Sequence, residues 1–199
     1  MKAHAYVFIL LSLLELLVLI PTAKAAPLDY TEALSGDLSN FGSAPTPLIF
    51  DLGVNRITGT MGGNPDADPD IYTFVIMPGL QLTSIFLSPM EPRENSFFAL
   101  ASGSTISLTS SETHLAAHLT RGIGELMPDL AAGGEFGGLG FTAPLGAGTY
   151  TAWFQETTNV RVDYTMAYTA SPIPEPSSYA AIAGVLGLGM AAYRRRRRA

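Results

Sequence analysis

The chain of 199 residues contains no cysteine. That absence removes disulfide staples and a thiol nucleophile together, so stability must come from a buried core. Positive charge is scarce in the body of the chain. Seven of the eleven basic residues lie near the ends (Lys2, Lys24 and Arg194 to Arg198), leaving four arginines against 15 Asp and Glu between Ala26 and Pro172. Arg56, Arg93, Arg121 and Arg161 are scattered and form no basic stripe, which excludes nucleic acid as a partner. Catalytic motifs are missing as well. No Gly-x-Ser-x-Gly elbow occurs, and the glycine-rich stretch Gly133 to Gly140 lacks the Lys-Ser/Thr of a phosphate loop. His114 and His118 have no third ligand at metal-site spacing and no glutamate directly after His114, so they read as surface histidines.

What is present is a series of short strand-like runs separated by turn residues. Leu48 to Phe50, Arg56 to Met61, Ile71 to Met77, Leu80 to Leu87, Ser96 to Ala101, Ser104 to Leu108, Thr149 to Gln155 and Arg161 to Thr169 each read as a strand. The last is the cleanest, with Val162, Tyr164, Met166 and Tyr168 alternating with Asp163, Thr165 and Ala167. The break at Pro78-Gly79 predicts a hairpin between its flanking strands, and Ser102-Gly103 predicts another. Leu115, Leu119, Ile123 and Leu126 share a helical spacing, interrupted by Gly122, Gly124 and Pro128. The pattern predicts a mainly β domain over 48–170, an antiparallel β-sandwich of jelly-roll type. Residues 26–47, with only Tyr30, Leu34, Leu38 and Phe41 to bury, form an arm leading into it.

Both ends carry long apolar runs. Lys2 precedes a leucine-rich run from Tyr6 to Ile20, broken only by Glu15, and Ala23-Lys24-Ala25 is the small-x-small pattern that signal peptidase cuts after; residues 1–25 are therefore expected to be a secretory signal helix. The segment 171–199 has three parts: a Pro174-Glu175-Pro176 hinge, an uncharged run including Ala180, Leu186 and Leu188 between Tyr179 and Tyr193, and the cluster Arg194, Arg195, Arg196, Arg197 and Arg198. Prolines keep the hinge extended and accessible. The run from Ser177 to Tyr193, about 17 residues, is at the short end of a membrane-spanning helix, and the arginines are expected to hold the terminus in the cytoplasm.

In that order these parts resemble the PEP-CTERM sorting signal of exported bacterial proteins, a tail also labelled an ice-binding protein C-terminal domain. The resemblance implies export, transient anchoring in the membrane, processing at the hinge by exosortase, and residence at the cell surface or in an extracellular polysaccharide matrix. A second resemblance covers roughly residues 50 to 169. Asp70-Ile71-Tyr72-Thr73-Phe74 with Pro78-Gly79, and Gly148-Thr149-Tyr150-Thr151 followed by Tyr164-Thr165-Met166, are similar to bacterial pre-peptidase C-terminal domains. That family implies a jelly-roll-like sandwich without catalysis, some members binding calcium or glycans.

One constellation in the body suits a metal. Asp66, Asp68 and Asp70 alternate in a Pro/Gly loop and offer calcium the oxygen ligands it takes; Ile71 stands where an EF-hand needs glycine, and a solvated acidic turn is the competing reading. Asp51 or Asp163 would complete such a shell. Trp153 reads as a core residue, with a sugar-stacking platform as the alternative. The expectation is a non-enzymatic exported protein associated with exopolysaccharide. A secreted hydrolase would need a cleft holding a perturbed carboxylate or histidine, and an adhesive or ice-binding surface would need a regular threonine array, for which Thr149, Thr151, Thr165 and Thr169 are too few.

Overall fold

The computed structural model describes residues 26–62, 68–92, 95–120 and 122–174. Among them, ten strands and two short α-helices follow in chain order: β1 (Asp29–Thr31), α1 (Glu32–Ser35), β2 (Thr46–Phe50), β3 (Gly53–Met61), β4 (Asp70–Ile76), β5 (Leu80–Leu87), β6 (Ser96–Ser102), β7 (Ala116–Thr120), β8 (Gly124–Glu125), α2 (Met127–Ala131), β9 (Gly148–Glu156) and β10 (Val162–Pro172). They form two five-stranded sheets. Sheet A has the order β1-β3-β10-β5-β8 and sheet B the order β2-β4-β9-β6-β7. The chain is mainly β, and the two sheets are consistent with a β-sandwich.

Neither sheet is purely antiparallel. β1 runs parallel to β3 and β2 parallel to β4, while all other pairs are antiparallel. The cause lies in the connections. The chain passes from β1 through β2 in the opposite sheet before returning at β3, and such a crossing brings a strand back in its original direction. The residues 26–47 therefore supply β1 and the first part of β2, one edge strand for each sheet.

The same alternation between sheets overturns the hairpin expected at Pro78-Gly79. β4 belongs to sheet B and β5 to sheet A, so the turn, closed by Leu80 N–H donating to Met77 carbonyl at 3.0 Å, is a corner between sheets. Ser104 to Leu108 is not a strand; β6 pairs instead with β7. The helical spacing of residues 115 to 126 is a coincidence of spacing. Those positions hold β7 and β8, and Ile123 is 55% exposed.

One continuous core lies between the sheets. It is fed by alternate residues: Val162, Tyr164, Met166 and Tyr168 from β10, and Tyr72, Phe74 and Ile76 from β4. Aromatic rings fill its middle, Phe50 stacking on Phe74 at 4.6 Å and Tyr168 tilting against both, with each buried side chain contributing about 1.5–3 kcal/mol. The Tyr72 and Tyr168 hydroxyls bond each other within this core. Sheet B has a second apolar face. Ile71, Ala99, Ala101 and Ala117 are buried there with Ile106, and Phe97 and Trp153 lie half-buried against them. The glycine-rich stretch covers this side: Ala117 N–H donates to Gly133 carbonyl and Phe136 N–H to Ala117 carbonyl, so the loop hydrogen-bonds along the open edge of β7.

Candidate cation site

At one end of the sandwich three carboxylates from distant parts of the chain meet. Glu32 opens α1, Asp37 follows its last turn, and Asp70 begins β4; each offers an oxygen within 4.8 Å of the others. Local structure brings them there. The turn after α1 is closed by Gly36, whose φ of 95° suits glycine, and whose N–H donates to Glu32 carbonyl at 2.9 Å. Glu32 reaches across to sheet A, its Oε2 accepting from Thr60 N–H at 2.7 Å and its Oε1 from Leu38 N–H at 3.2 Å. Gly59 makes that approach feasible. A Cβ there would sit 2.8 Å from the Glu32 carboxyl carbon.

Asp70 is the unusual member. It is 0% exposed, and its carboxylate makes no well-formed hydrogen bond, the donor beside it being the buried Tyr164 hydroxyl of β10. Burial first, then the charge of Glu32, pushes the Asp70 carboxyl up to about 9. Glu32 is raised by burial as well, against the pull of its two backbone N–H donors. The Tyr164 hydroxyl is raised well above its ordinary value by burial and by the Asp70 charge. Beside this group opens a cleft of about 510 Å³ lined by Glu32, Asp37, Thr58, Thr60, Arg161 and Asp163, with Arg161 donating to the Thr60 hydroxyl.

The residues singled out in the sequence fall in several places. Asp70 joins Glu32 and Asp37; Asp68 adds negative field to Asp70 and bridges Gly62 through its backbone, and Asp66 lies outside the described residues. Asp163 lines the cleft, whereas Asp51 accepts from Leu52 N–H in the turn after β2. His114 is not a surface residue. It is 1% exposed, its Nε2 is 2.8 Å from the Ser107 carbonyl and its ring meets Trp153 edge-on. His118 is half-buried, 3.7 Å from Asp129. Trp153 is half-buried on the second face of sheet B, between core and surface. Thr151 is buried in sheet B while Thr165 and Thr169 lie in sheet A, so the four threonines share no single face. Pro174 is exposed at the end of the described chain. Ala23, Ala25, Glu175, Pro176, the apolar run from Tyr179 to Tyr193 and the arginine cluster lie outside the described residues, among which no helix is long and apolar enough to cross a membrane.

No family model matches this chain, and neither the curated proteins nor the solved structures yield a match. The two resemblances therefore rest on their own motif residues.

Proposed function

We propose that the chain is a non-enzymatic exported protein, delivered by a signal peptide cut after Ala25, held by its C-terminal tail, and processed by exosortase for residence at the cell surface or in an exopolysaccharide matrix. The observation that carries this reading is the order of the tail: Pro174-Glu175-Pro176, an uncharged run between two tyrosines, then five arginines. A plain membrane anchor has no use for a proline hinge. The place where β10 stops supports it too. The strand ends at Pro172 and Pro174 is already exposed, so the hinge starts where the last hydrogen-bonded strand gives out.

A jelly-roll reading of the body is supported by strand order. The eight strands from β3 to β10 alternate between sheets as β3-β10-β5-β8 and β4-β9-β6-β7, the pattern of two interlocked Greek keys. Against a hydrolase stand the commitments of the acidic groups. Asp70 is too deeply buried to touch a substrate, and each Glu32 oxygen already accepts one backbone N–H. A glycan-binding role has one observation in its favour: Phe97, Phe136 and Trp153 line an apolar cleft of about 410 Å³ with Gln155 and Thr157 at its side, aromatic faces beside polar groups as sugars require.

The test is made in a host that has exosortase. Glu175→Ala, and separately Pro174 and Pro176 both to Ala, should leave the body's melting unchanged and the full-length form in the membrane. Trimming and release equal to wild type would remove the sorting reading. A glycan array probed with wild type and Trp153→Ala tests the cleft.

A further inference from the structure

We propose that the end of the sandwich opposite the carboxylate cluster rests on the surface of the membrane that holds the tail, with Met77 and Ile173 against the lipid headgroups. That orientation rests on the sorting reading of the tail and adds which way the body faces. Both ends of the exported body emerge here. β10 finishes at Pro172 opposite Leu80, where β5 begins, and Ile173 N–H donates to the Gly79 carbonyl at 2.8 Å. At the start of the body, Leu28 N–H donates to Asn55 Oδ1, and a Cβ on Gly53 would lie 2.8 Å from the Pro27 ring. Gly53 in turn pairs with Ala170 of β10. The segment cut after Ala25 and the tail therefore leave the same end of the fold.

The tether is short. Tyr179, where the apolar run begins, is six residues beyond Ile173, a stretch that reaches at most about 20 Å when fully extended. The eleven residues of β10 alone make the sandwich about 35 Å long, so a body held this way keeps its tail end beside the bilayer. Charge then separates the two ends. The turns at the tail end, residues 51–53, 77–79, 142–147 and 172–174, carry one charge between them, Asp51, which is half-buried and accepts from Leu52 N–H. Met77 is 46% and Ile173 42% exposed, large apolar side chains left open next to the tail. At the far end Glu32, Asp37 and Asp70 meet, and Glu91 bridges Asp163 at the start of β10. Anionic lipid repels carboxylates over a Debye length of about 10 Å, so the acidic end is driven outward and the uncharged end settles on the surface. Leu34, 89% exposed at the acidic end, shows that apolar exposure alone would not choose between the ends; tether and charge do.

The experiment uses the full chain in vesicles of phosphatidylcholine with about one quarter phosphatidylglycerol. Because the chain has no cysteine, Met77→Cys and Leu34→Cys each supply a single site for a nitroxide label, and lipids bearing a nickel chelate report how near each label lies. Relaxation should be several-fold faster at position 77 than at position 34. A chain that does not float with the vesicles would remove the tail reading and this orientation with it. A floating chain with equal relaxation at both positions, or more at position 34, would overturn the orientation and leave the tail reading standing. A second variant separates contact from mere closeness. Met77→Asp together with Ile173→Asp, read from a label on Ala147→Cys, should leave the melting temperature unchanged because both side chains are exposed, and should cut relaxation at position 147 by about half, with recovery in phosphatidylcholine alone. Relaxation at position 147 unmoved by the two carboxylates would overturn the contact.

Discussion

The two sheets differ in what their outer faces meet. Sheet A turns a polar face outward along β3 and β10, with Arg56 and Asp163 exposed and Thr58 bonded to Thr165 across the strands. Sheet B is covered on both sides along β4 and β6, by the common core within and by Ile106 and the glycine-rich loop without, while its edge strand β2 leaves Ile49 exposed. A strand with one wet face must alternate, whereas a strand covered on both faces is free to be apolar throughout. Thus β10 shows strict alternation, while β4 is buried at every position but Val75.

The largest effect should come from the core the sheets share. Phe74→Ala deletes a ring stacked on Phe50 and tilted against Tyr150 and Tyr168, and should cost about 3–5 kcal/mol in a denaturant titration. The next comes from Asp70 on that inner face. Its folded value of about 9 lies above its unfolded value of 3.8, so the folded state binds the extra proton between those limits. In chelator, this group's contribution is complete below about pH 4 and is lost as pH rises towards 9, by up to about 1.4 kcal/mol per pH unit. Melts of wild type against Asp70→Asn at pH 5, 6.5 and 8 should show the variant gaining on wild type as pH rises; parallel curves would refute the assignment.

The outer cover of sheet B comes third. Gly134 has φ of 76°, and a Cβ there would lie 2.3 Å from the Ala117 carbonyl oxygen, so Gly134→Ala should destabilise by about 1–3 kcal/mol and expose the β7 edge to hydrogen exchange. On the open side of sheet A the matching change is slight. Thr165→Ala removes one half-exposed threonine pair and should cost about 0.5 kcal/mol or less by calorimetry. If Thr165→Ala proved as damaging as Gly134→Ala, the contrast between the faces would be false.

Sequence pattern carried the strands well and their partners poorly. Alternation in β10 and turn residues around β3, β4 and β9 were legible because they are local. The corner at Pro78-Gly79 was not, since the same turn chemistry closes a hairpin or passes between sheets. Spacing at Leu115, Leu119 and Ile123 imitated a helix where β7 carries Ala116 and Ala117 into the interior. The candidate site was half legible. Asp70 keeps step with Tyr72, Phe74 and Ile76 at period two, and a carboxyl in register with three core side chains is unusual on pattern alone. Glu32 and Asp37 gave no such mark, because they reach Asp70 through the parallel pairing of β1 with β3 and the bridge of Ser39 to Ile71, contacts no local pattern encodes.

The position of β10 has a mechanical consequence. The strand that leads into the tail lies in the interior of sheet A, held along Val162 to Ala170 by β3 and along Met166 to Pro172 by β5. A force applied through the tail runs along this strand. Its hydrogen bonds to both neighbours would then be loaded together in shear, rather than opened one after another as at a sheet edge. A tether rooted this way would resist drag far better than one attached to an outer strand, and the first bond to yield should be that of Ile173 N–H to the Gly79 carbonyl, followed by Ser171 and Pro172, which pair with β5 alone.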